Sequence, residues 1–531
     1  MSGNFNRENR ETPSASQGYS PRDRSVNATG GNAGVHADGE SDESIVPTKV
    51  ANNDVADASA EQPEERGSAN RNVAQSASRR TSSRIKRESR GLYGVREAAR
   101  KNRDLRFTCL LHHVNQDCLT DAFFNLKKNA KEGVDGVTWA DYEANLEANI
   151  VDLHNRIHRG AYRAKPSKRA WIRKPRGGRR PLAIVSLEDK IVQTAVLWVI
   201  QAIYEQDFLD FSYGFRPGRS QHQALDSLSV ALTTRKVNWV LDADLESFFD
   251  SLDHDWLIKF LEHRIGDNRI LRLIRKWLHA GVIEDGATTP NKEGSPQGSV
   301  ISPILSNVFL HYVLDLWIHA WRQHPDRGDV VIVRYADDFV IGFEHKAEAI
   351  ACQDALQQRF AKFGLKLNDH KTRLIEFGRH AAQRRKRRGD KRPETFDFLG
   401  FTHQCSTARR GHRFIVGRES IASRMRAKLS ELKFELRKRW NLPVGETGRW
   451  LSRMMRGWLN YHAIPRNMGR LQQFRKALVR LWLKQLRSRS GRHRWTWQRM
   501  YRLIDIHLPK LRILHPYPDK RHHDRLKARA V

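Results

Sequence analysis

Two strongly apolar runs flank a pair of adjacent carboxylates, and this pattern constrains the fold more than any other feature of the chain. The runs cover 330–334 and 339–343, and a Tyr-Ala-Asp-Asp segment (335–338) joins them. Short apolar runs joined by a tight turn predict a β-hairpin whose strands lie in a core. Such strands would hold Asp337 and Asp338 rigidly, although an isolated Asp-Asp pair is more often a solvated turn.

A third carboxylate, Asp244, lies near the end of another apolar segment. Residues 239–245 predict a second buried strand, which runs into a helix from Ser247. If this strand lies beside the hairpin, Asp244, Asp337 and Asp338 converge. Four other carboxylates compete with Asp244 for this position, the first of them on the same strand face: Asp242, Asp250, Asp253 and Asp255.

The convergence of three carboxylates would require a cation, because clustered carboxylates repel one another and resist ionisation. Mg²⁺ prefers oxygen ligands and commonly combines one or two protein carboxylates with phosphate oxygens and water. Two such ions, about 3.5–4 Å apart, would activate a 3′-hydroxyl and stabilise a leaving pyrophosphate. The pattern therefore indicates metal-dependent nucleotidyl transfer, in which positioning does most of the work.

A segment rich in glycine and proline (294–303) precedes an apolar helix at 304–314. It predicts a tight loop that approaches other backbone closely, with Gln297 projecting as a hydrogen-bonding side chain. The alternative is an ordinary loop that starts the helix.

Three other segments predict regular structure. Residues 171–174 and 179–184, on either side of a glycine-containing turn, predict a hairpin with a basic rim. Residues 189–206 predict an apolar helix, and the pattern from about Ser423 to the end is helical.

Positive charge is concentrated in the last quarter of the chain. Residues 401–531 contain 33 Lys and Arg against 7 Asp and Glu, which accounts for most of the net charge of +34. Residues 451–500 contain 13 basic residues and no acidic one, whereas a solvated helical face normally mixes both signs. This distribution predicts a surface that binds nucleic acid.

The rest of the composition argues against several classes of protein. Residues 1–80 are rich in Ser, Asn, Gly, Ala, Glu and Asp and contain only two aromatics, Phe5 and Tyr19, so we expect a disordered tail. A basic linker at 81–106 follows, which either contacts phosphates or is simply solvated. The four cysteines are far apart, which argues against a disulfide framework or a structural zinc site. No apolar stretch reaches the roughly 18 residues of a membrane span, and no signal core is present, so we expect a cytoplasmic protein.

Eight short motifs follow one another along the chain: Gly-Val-Asp-Gly-Val (133–137), Arg-Pro-Leu (180–182), Tyr-Gly-Phe-Arg-Pro-Gly-Arg-Ser (213–220), Asp-Leu-Glu-Ser-Phe-Phe-Asp (244–250), Ser-Pro-Gln-Gly with Ile-Ser-Pro (295–303), Tyr-Ala-Asp-Asp (335–338), Leu-Asn-Asp-His-Lys-Thr (367–372) and Phe-Asp-Phe-Leu-Gly-Phe (396–401). Their order and character resemble the reverse transcriptase family, most closely its bacterial group II intron reverse transcriptase/maturase branch. The resemblance runs from about residue 105 to 520, and eight motifs in order are far more specific than one hairpin.

The resemblance implies roles for individual residues. It places metal ligands on Asp244, Asp337 and Asp338, and it implies that the backbone carbonyl of Leu245 also touches a metal. It places the following residues around the incoming nucleotide: Lys174 and Arg180 at the triphosphate, Phe249 beside the sugar, Gln297 near the nucleotide and Lys371 near the active site. Phe249 is also compatible with a core aromatic, and Lys371 with a solvated lysine.

Residues 456–461 (Arg-Gly-Trp-Leu-Asn-Tyr) resemble the hallmark of the maturase thumb, often called domain X. Arginines bind phosphates and aromatics stack on unpaired bases, so we expect this region to bind RNA. The candidate residues are Arg456, Trp458, Tyr461, Arg475, Lys476, Arg480, Lys484 and Arg487. Core packing is the alternative for each tryptophan, and we favour it for Trp458 and Trp482.

The resemblance also implies an α+β fold with the right-hand architecture of polymerases. Fingers and palm with an antiparallel sheet would occupy 107–405, and an all-helical thumb/maturase domain would occupy 406–531. Two Mg²⁺ ions, or Mn²⁺, would be the cofactors, and the partners would be intron RNA, a DNA primer or target, and dNTPs. Larger family members append a nuclease with metal-binding cysteine pairs, which this chain lacks, so we expect no cleavage of a second DNA strand.

Two other functions are compatible with these motifs. One is an RNA-binding splicing factor with a vestigial polymerase, against which the three intact carboxylates argue. The other is a reverse transcriptase of a retron, a diversity-generating element or a phage-defence system. The Pro-Gln-Gly-x-x-Ile-Ser-Pro pattern (296–303) and the long basic C-terminal region favour the intron type instead.

Overall fold

A computed structural model describes residues 92–173, 179–284, 287–289, 293–408, 412–489 and 495–529. The expected tail at 1–80 and the first part of the expected linker lie outside the described residues. The rest of that linker contains a helix at 92–101 rather than only solvated chain. The helix forms because Leu92, Val95 and Ala99 make an apolar face that packs against the main core.

The helices of the described part are labelled in chain order: α1 (92–101), α2 (Gln116–Asn125), α3 (Trp139–Ala144), α4 (Leu146–His158), α5 (Leu187–Tyr204), α6 (Gln221–Thr234), α7 (His254–Glu262), α8 (Asn268–His279), α9 (Ser302–Leu310), α10 (Leu316–Arg322), α11 (Lys346–Lys362), α12 (Ala381–Arg387), α13 (Ala422–Lys438), α14 (Val444–His462), α15 (Met468–Arg489), α16 (Trp497–His507) and α17 (Pro518–Arg529). A short 3₁₀ turn covers Leu111–His113, and a π-helical turn (His311–Asp315) joins α9 to α10. The apolar helix expected at 189–206 is α5, and the helical pattern expected from Ser423 corresponds to α13–α17.

The strands are likewise labelled in chain order: β1 (Ser167–Arg173), β2 (Arg179–Ile184), β3 (Trp239–Ala243), β4 (Val282–Glu284), β5 (Ala287–Thr289), β6 (Val330–Tyr335), β7 (Asp338–Phe343), β8 (Arg373–Glu376), β9 (Phe396–Phe398), β10 (Phe401–Thr407) and β11 (Phe414–Ser420). They form three sheets, with the orders β2-β1-β4-β5, β6-β7-β3-β8 and β11-β10-β9. Pairing is antiparallel within these strands, except that β1 runs parallel to β4. The protein is therefore a mixed α/β fold.

Both expected hairpins are present. β1 pairs with β2 and β6 pairs with β7, each antiparallel, although the 174–178 turn of the first hairpin lies outside the described residues. The expectation of a helix from Ser247 was wrong. Ser247 has a φ of 48°, and its carbonyl accepts a 2.7 Å hydrogen bond from the amide of Asp250, so the chain turns sharply. The next helix, α7, begins only where the Asp253 side chain caps it.

The helical region at 422–508 has a hydrophobic core of its own, which runs from Met425 to Leu508. A third cluster joins α6 and the central sheet to β9–β11. The expected domain boundary after residue 405 was wrong, because it falls inside β10, which pairs with β11 along its whole length. The apolar residues that open β11 make this segment a strand, and the helical region begins at Ala422 instead.

The last helix returns to the first half of the chain. α17 packs against α6, and Arg521 Nε lies 3.1 Å from a carboxylate oxygen of Asp226. The other oxygen of Asp226 accepts a 2.8 Å hydrogen bond from Arg418, so two arginines enclose one buried carboxylate. No helix within the described ranges has the length and apolar character needed to cross a bilayer.

Candidate active site

The three candidate carboxylates meet at one edge of the central sheet. β3 lies between β7 and β8, and Ala243 of β3 pairs with Phe339 of β7. The residue that follows β3, Asp244, therefore faces Asp338, the first residue of β7. Asp337 occupies the turn between the paired residues Tyr335 and Asp338. Strand register therefore brings Asp244 and Asp338 to the same edge of the sheet, with Asp337 in the adjoining turn.

The electrostatics of Asp338 reflect this convergence. Asp338 is accessible to solvent, yet its carboxyl is closely surrounded by protein atoms. Desolvation there raises the pKa of Asp338 to about 7, and the negative charges of Asp337 and Asp244 contribute to this rise. Arg424, from α13, acts in the opposite direction. The helical region therefore contributes a positive charge to the field at this edge of the sheet.

Asp242, the competitor that the sequence could not exclude, has a different environment. Its carboxylate lies 3.5 Å from an Arg373 guanidinium nitrogen on β8. Burial raises the pKa of Asp242 to about 6, with Arg373 opposing this shift and Asp397 and Asp244 adding to it. Asp242 thus lies toward β8 and its arginine, whereas Asp244 lies opposite Asp338.

Lys371 lies at this site, as its motif position suggested. Its ammonium donates a hydrogen bond to the carboxylate of Asp244. The contact is fixed by a β-bridge between Leu245 and Leu367. The hydrogen bonds of this bridge use the carbonyl of Asp244 and the amide of Glu246, rather than the carbonyl of Leu245.

The donor chemistry of the site fits divalent cations. Carboxylate oxygens are hard ligands, and a cation at this edge would offset both the desolvation that mainly raises the pKa of Asp338 and the smaller contribution of the neighbouring carboxylates. Within the described residues, His, Cys, Asp and Glu side chains do not already converge into a metal-binding group of three or more. Lys371 instead supplies the positive charge next to Asp244.

A buried ion pair, which the sequence did not reveal, supports the turn of the β6–β7 hairpin. Arg334 and Asp315 are fully buried, and Arg334 Nε donates to Asp315 Oδ1 at 2.7 Å. Arg334 Nη1 also donates to the carbonyl of Ala336 at 2.9 Å and to Asn307 Oδ1 at 3.1 Å. Because the Ala336 carbonyl belongs to the peptide group that precedes Asp337, this guanidinium orients the backbone of a candidate ligand.

Asn307 continues this network to the other side of the turn. Its side-chain amide donates to the carbonyl of Gly214 at 2.7 Å, and Gly214 lies directly against Ala336. Ala336 itself has a φ of 56°, an uncommon conformation for a residue with a side chain. The only sequence signals were an arginine inside an apolar strand and polar residues inside an apolar helical segment, each of which is costly to bury unpaired.

Hydrogen bonds hold the loop that contains Gln297 against three other segments of the chain. The amide of Ser295 donates to the carbonyl of Phe249, and the carbonyl of Gln297 accepts from the amide of Ala183 on β2. Gln193 of α5 accepts hydrogen bonds from the Ser299 hydroxyl and the Val300 amide. The loop therefore links β2 and α5 to the turn that follows Asp244.

Of the remaining nucleotide-site candidates, the structure describes the side chain of Phe249 but not those of Arg180 and Lys174. Phe249 is 9% exposed, and its ring packs edge-to-face on that of Phe248 with 5.4 Å between the ring centroids. Its environment therefore resembles that of a core aromatic. Arg180 lies in β2, opposite Ile172, but its side chain is not among the described parts. Lys174 lies outside the described residues.

The RNA-binding candidates of the helical region fall into two groups. Trp458 stacks between His462 and Phe474, at 3.8 and 4.2 Å, and the Tyr461 hydroxyl donates to the carbonyl of Leu399 at 2.7 Å. These two aromatics thus pack within the protein, like the fully buried Trp482. The second group is basic: Arg456, Arg475, Lys476, Arg480, Lys484 and Arg487. All of these side chains are exposed except that of Arg475, which is partly buried.

Comparison with known proteins places these features in a family context. Residues 172–403, which include the three carboxylates and the Arg334 network, match the family described as reverse transcriptase (RNA-dependent DNA polymerase). Protein YkfC of Escherichia coli is 35% identical over 301 residues, which are 49% of this chain and 78% of that protein. The group II intron-encoded protein LtrA of Lactococcus lactis subsp. cremoris is 32% identical over 239 residues, 44% of this chain and 40% of that protein.

A plant relative is more distant. Nuclear intron maturase 3, mitochondrial, of Arabidopsis thaliana is 28% identical over 181 residues, which are 30% of this chain and 25% of that protein. The chain therefore spans less than half the length of the Lactococcus and Arabidopsis relatives.

Proposed function

Because this chain belongs to the group II intron reverse transcriptase/maturase family, we propose that it is an RNA-directed DNA polymerase that also binds intron RNA to assist splicing and mobility. The observation that carries the proposal is the meeting of Asp244 with Asp337 and Asp338 at one edge of the central sheet. Its substrates would be an RNA template, a DNA primer or target, and dNTPs.

Asp244, Asp337 and Asp338 would hold two divalent cations, Mg²⁺ or Mn²⁺, with the carbonyl of Leu245 as a further ligand. When bound, such ions activate the primer 3′-hydroxyl and neutralise charge on the leaving pyrophosphate. The protein's own contribution is positional. Strand pairing fixes two of the carboxylates, and the buried Arg334 fixes the turn that carries the third.

The incoming nucleotide would lie between these carboxylates and the loop that contains Gln297. Phe249 would face the sugar and exclude a 2′-hydroxyl, a role supported by its backbone link to Ser295 of that loop. Lys371 is close enough to Asp244 to neutralise charge there. Lys174 and Arg180 would bind the triphosphate from the β1–β2 hairpin.

The described fold supports a division into polymerase and thumb. Residues 107–405, extended through β11, would form the fingers and palm, and the helices from Ala422 onward would form the thumb/maturase domain. The separate core of the helical region supports this division. The exposed basic residues on α14 and α15 would bind the phosphates of intron RNA, whereas Trp458 and Tyr461 would act by holding the helices in place.

Primer extension tests the polymerase proposal. The recombinant chain, supplied with poly(rA)/oligo(dT), dTTP and Mg²⁺, should extend the primer, and Asp337→Ala should abolish extension while the protein keeps its melting temperature. Asp354→Ala, which removes an exposed carboxylate on α11, is the matched control and should extend normally. Equal inactivity of all three correctly folded proteins would contradict the proposal. Splicing that persists in Asp337→Ala would show that RNA binding is separable from polymerisation.

A further inference from the structure

A surface cavity of about 530 Å³ lies where α13 ends and α14 begins. The residues that line it are Arg439, Leu442, Glu446, Arg449, Trp450, Ser452, Arg453 and Arg456. Its volume falls within the range of about 300–1,000 Å³ that is typical of small-ligand sites. Four arginines and a tryptophan around one carboxylate suit an anionic, aromatic ligand better than an apolar one.

One wall of this cavity is rigid before any ligand binds. The guanidinium of Arg439 lies over the ring of Trp450, 4.1 Å from its centroid, and is held there by an ion pair with Glu435. The carbonyls of Arg439 and Leu442 accept hydrogen bonds of 2.7 and 2.8 Å from Arg489 on α15. A wall that is already ordered spares a ligand the entropic cost of ordering it.

The opposite wall is a stripe of cations. Arg449, Arg453 and Arg456 follow one another on α14 at spacings of four and three residues, so they share one face of the helix. In the described part of the chain, none of these three arginines has a carboxylate within ion-pair distance, and Glu446 likewise has no cation within that distance. Like charges at this spacing destabilise a helix, so folding alone does not explain the stripe.

We propose that this cavity binds an unpaired guanosine of RNA. The backbone phosphates on either side of the nucleotide would lie on the arginine stripe, since guanidinium groups bind phosphate oxygens in pairs. The base would lie against the Arg439–Trp450 wall, because unpaired bases stack on both guanidinium and aromatic planes. The inference rests on the proposed function in one respect, that RNA is the partner.

Glu446 determines which base fits best. An ionised carboxylate only accepts hydrogen bonds. Guanine presents two adjacent donors on its Watson–Crick edge, N1–H and the N2 amino group, whereas adenine, cytosine and uracil each present a single donor group there. Because a bidentate contact of this kind discriminates against other bases, guanosine should bind roughly tenfold more tightly than the others. A guanosine within a duplex has this edge occupied and would be excluded.

Fluorescence anisotropy with the full chain tests the proposal. The probes are short RNA hairpins that are identical except for a single bulged G, A, C or U, or no bulge, at one fixed salt concentration. The bulged-G hairpin should bind about tenfold more tightly than the other four. Glu446→Ala, which removes the acceptor, should bring the four bulged hairpins to similar affinities. Arg449→Gln with Arg453→Gln should weaken binding of all bulged hairpins toward that of the paired one.

The matched control is Arg426→Gln, which removes an exposed arginine of α13 that does not line the cavity. It should leave the ratio of bulged-G to paired affinity unchanged. Equal affinity of the unmodified chain for bulged-G and paired hairpins would overturn the proposal. So would a guanosine preference that survives Glu446→Ala. Extension of poly(rA)/oligo(dT), a template without guanosine, tests the polymerase separately, so failure of one proposal is distinguishable from failure of the other.

Discussion

Replacing Gly214 by alanine should displace the hairpin turn that carries Asp337. A Cβ atom at Gly214 would lie 2.2 Å from the backbone nitrogen of Ala336 and 2.9 Å from its Cα, whereas ordinary contact begins at 3.4 Å. The turn must therefore retreat by about 1 Å, because the obstructing atoms are backbone and cannot rotate away. Overpacking of this kind costs about 1–3 kcal/mol of stability.

The same displacement should also slow catalysis. A shift of about 1 Å in a positioned group reduces a rate by roughly 10²-fold, so single-turnover primer extension by Gly214→Ala should fall by about that factor. Equilibrium binding of the primer–template duplex should change little, because the turn occupies one small part of the surface. Denaturant unfolding and single-turnover kinetics measure the two effects separately.

The matched control is Gly469→Ala, on α15, where an added Cβ meets no atom within 4 Å. Alanine is a better helix former than glycine, so this variant should be as stable as the unmodified protein or more stable by up to about 1 kcal/mol, with unchanged extension. The reasoning is refuted if Gly214→Ala extends primers at the same rate as Gly469→Ala.

Three further predictions follow from buried charges and from the basic surface. Asp315→Asn leaves the Arg334 guanidinium buried without its carboxylate, so denaturant unfolding should show a loss of about 3–5 kcal/mol, whereas Asp326→Asn, at an 87% exposed position, should show no change. Burial lowers the pKa of His403 to about 3, so the unfolded chain takes up a proton below its ordinary value near 6.5 while the folded chain does not. Stability should therefore fall as the pH falls from about 6.5 to 5. His403→Phe should reduce that loss of unfolding free energy by about 2 kcal/mol in denaturant titrations. An unchanged pH dependence would contradict the lowered pKa of His403. RNA affinity should decrease steeply with salt. Lys476→Gln with Arg480→Gln should make the slope of log affinity against log salt concentration shallower by about 0.7–0.9 for each phosphate that is no longer neutralised. A flat salt response of the unmodified chain would contradict a basic RNA-binding surface.

The parts of the fold that the sequence predicted are those in which local pattern and tertiary environment agree. The strands around Asp337 and Asp338 are apolar along their length and end at a polar pair, so periodicity and turn chemistry led to the same structure. The apolar helix α5 was recognisable for the same reason. The approach of Asp244 to this hairpin required both spacing and family resemblance, because Asp242 alternates with it on the same strand.

The parts that were missed depend on long-range pairing. Arg334 has a charged side chain in an apolar strand, and nothing in its local sequence shows that Asp315, nineteen residues earlier, lies beneath it. The turn at Ser247 replaced an expected helix because a left-handed residue there brings the following carbonyls to the loop that contains Gln297. The extent of β11 was hidden for a related reason: apolar residues open it, but its pairing with β10 along the whole strand could not be read from the local sequence.

The return of α17 to α6 has a mechanical consequence. The helices between β11 and α17 are attached to the rest of the protein at both ends. The chain itself connects them to β11, and at the other end Arg521 of α17 binds Asp226 of α6, which also binds Arg418. A hinge opening at the β11 junction would break that second anchorage and leave a carboxylate without one of its two partners. A segment held at both ends has little freedom to move as a rigid body, so the helical region should keep its position relative to the central sheet when a nucleic-acid duplex binds.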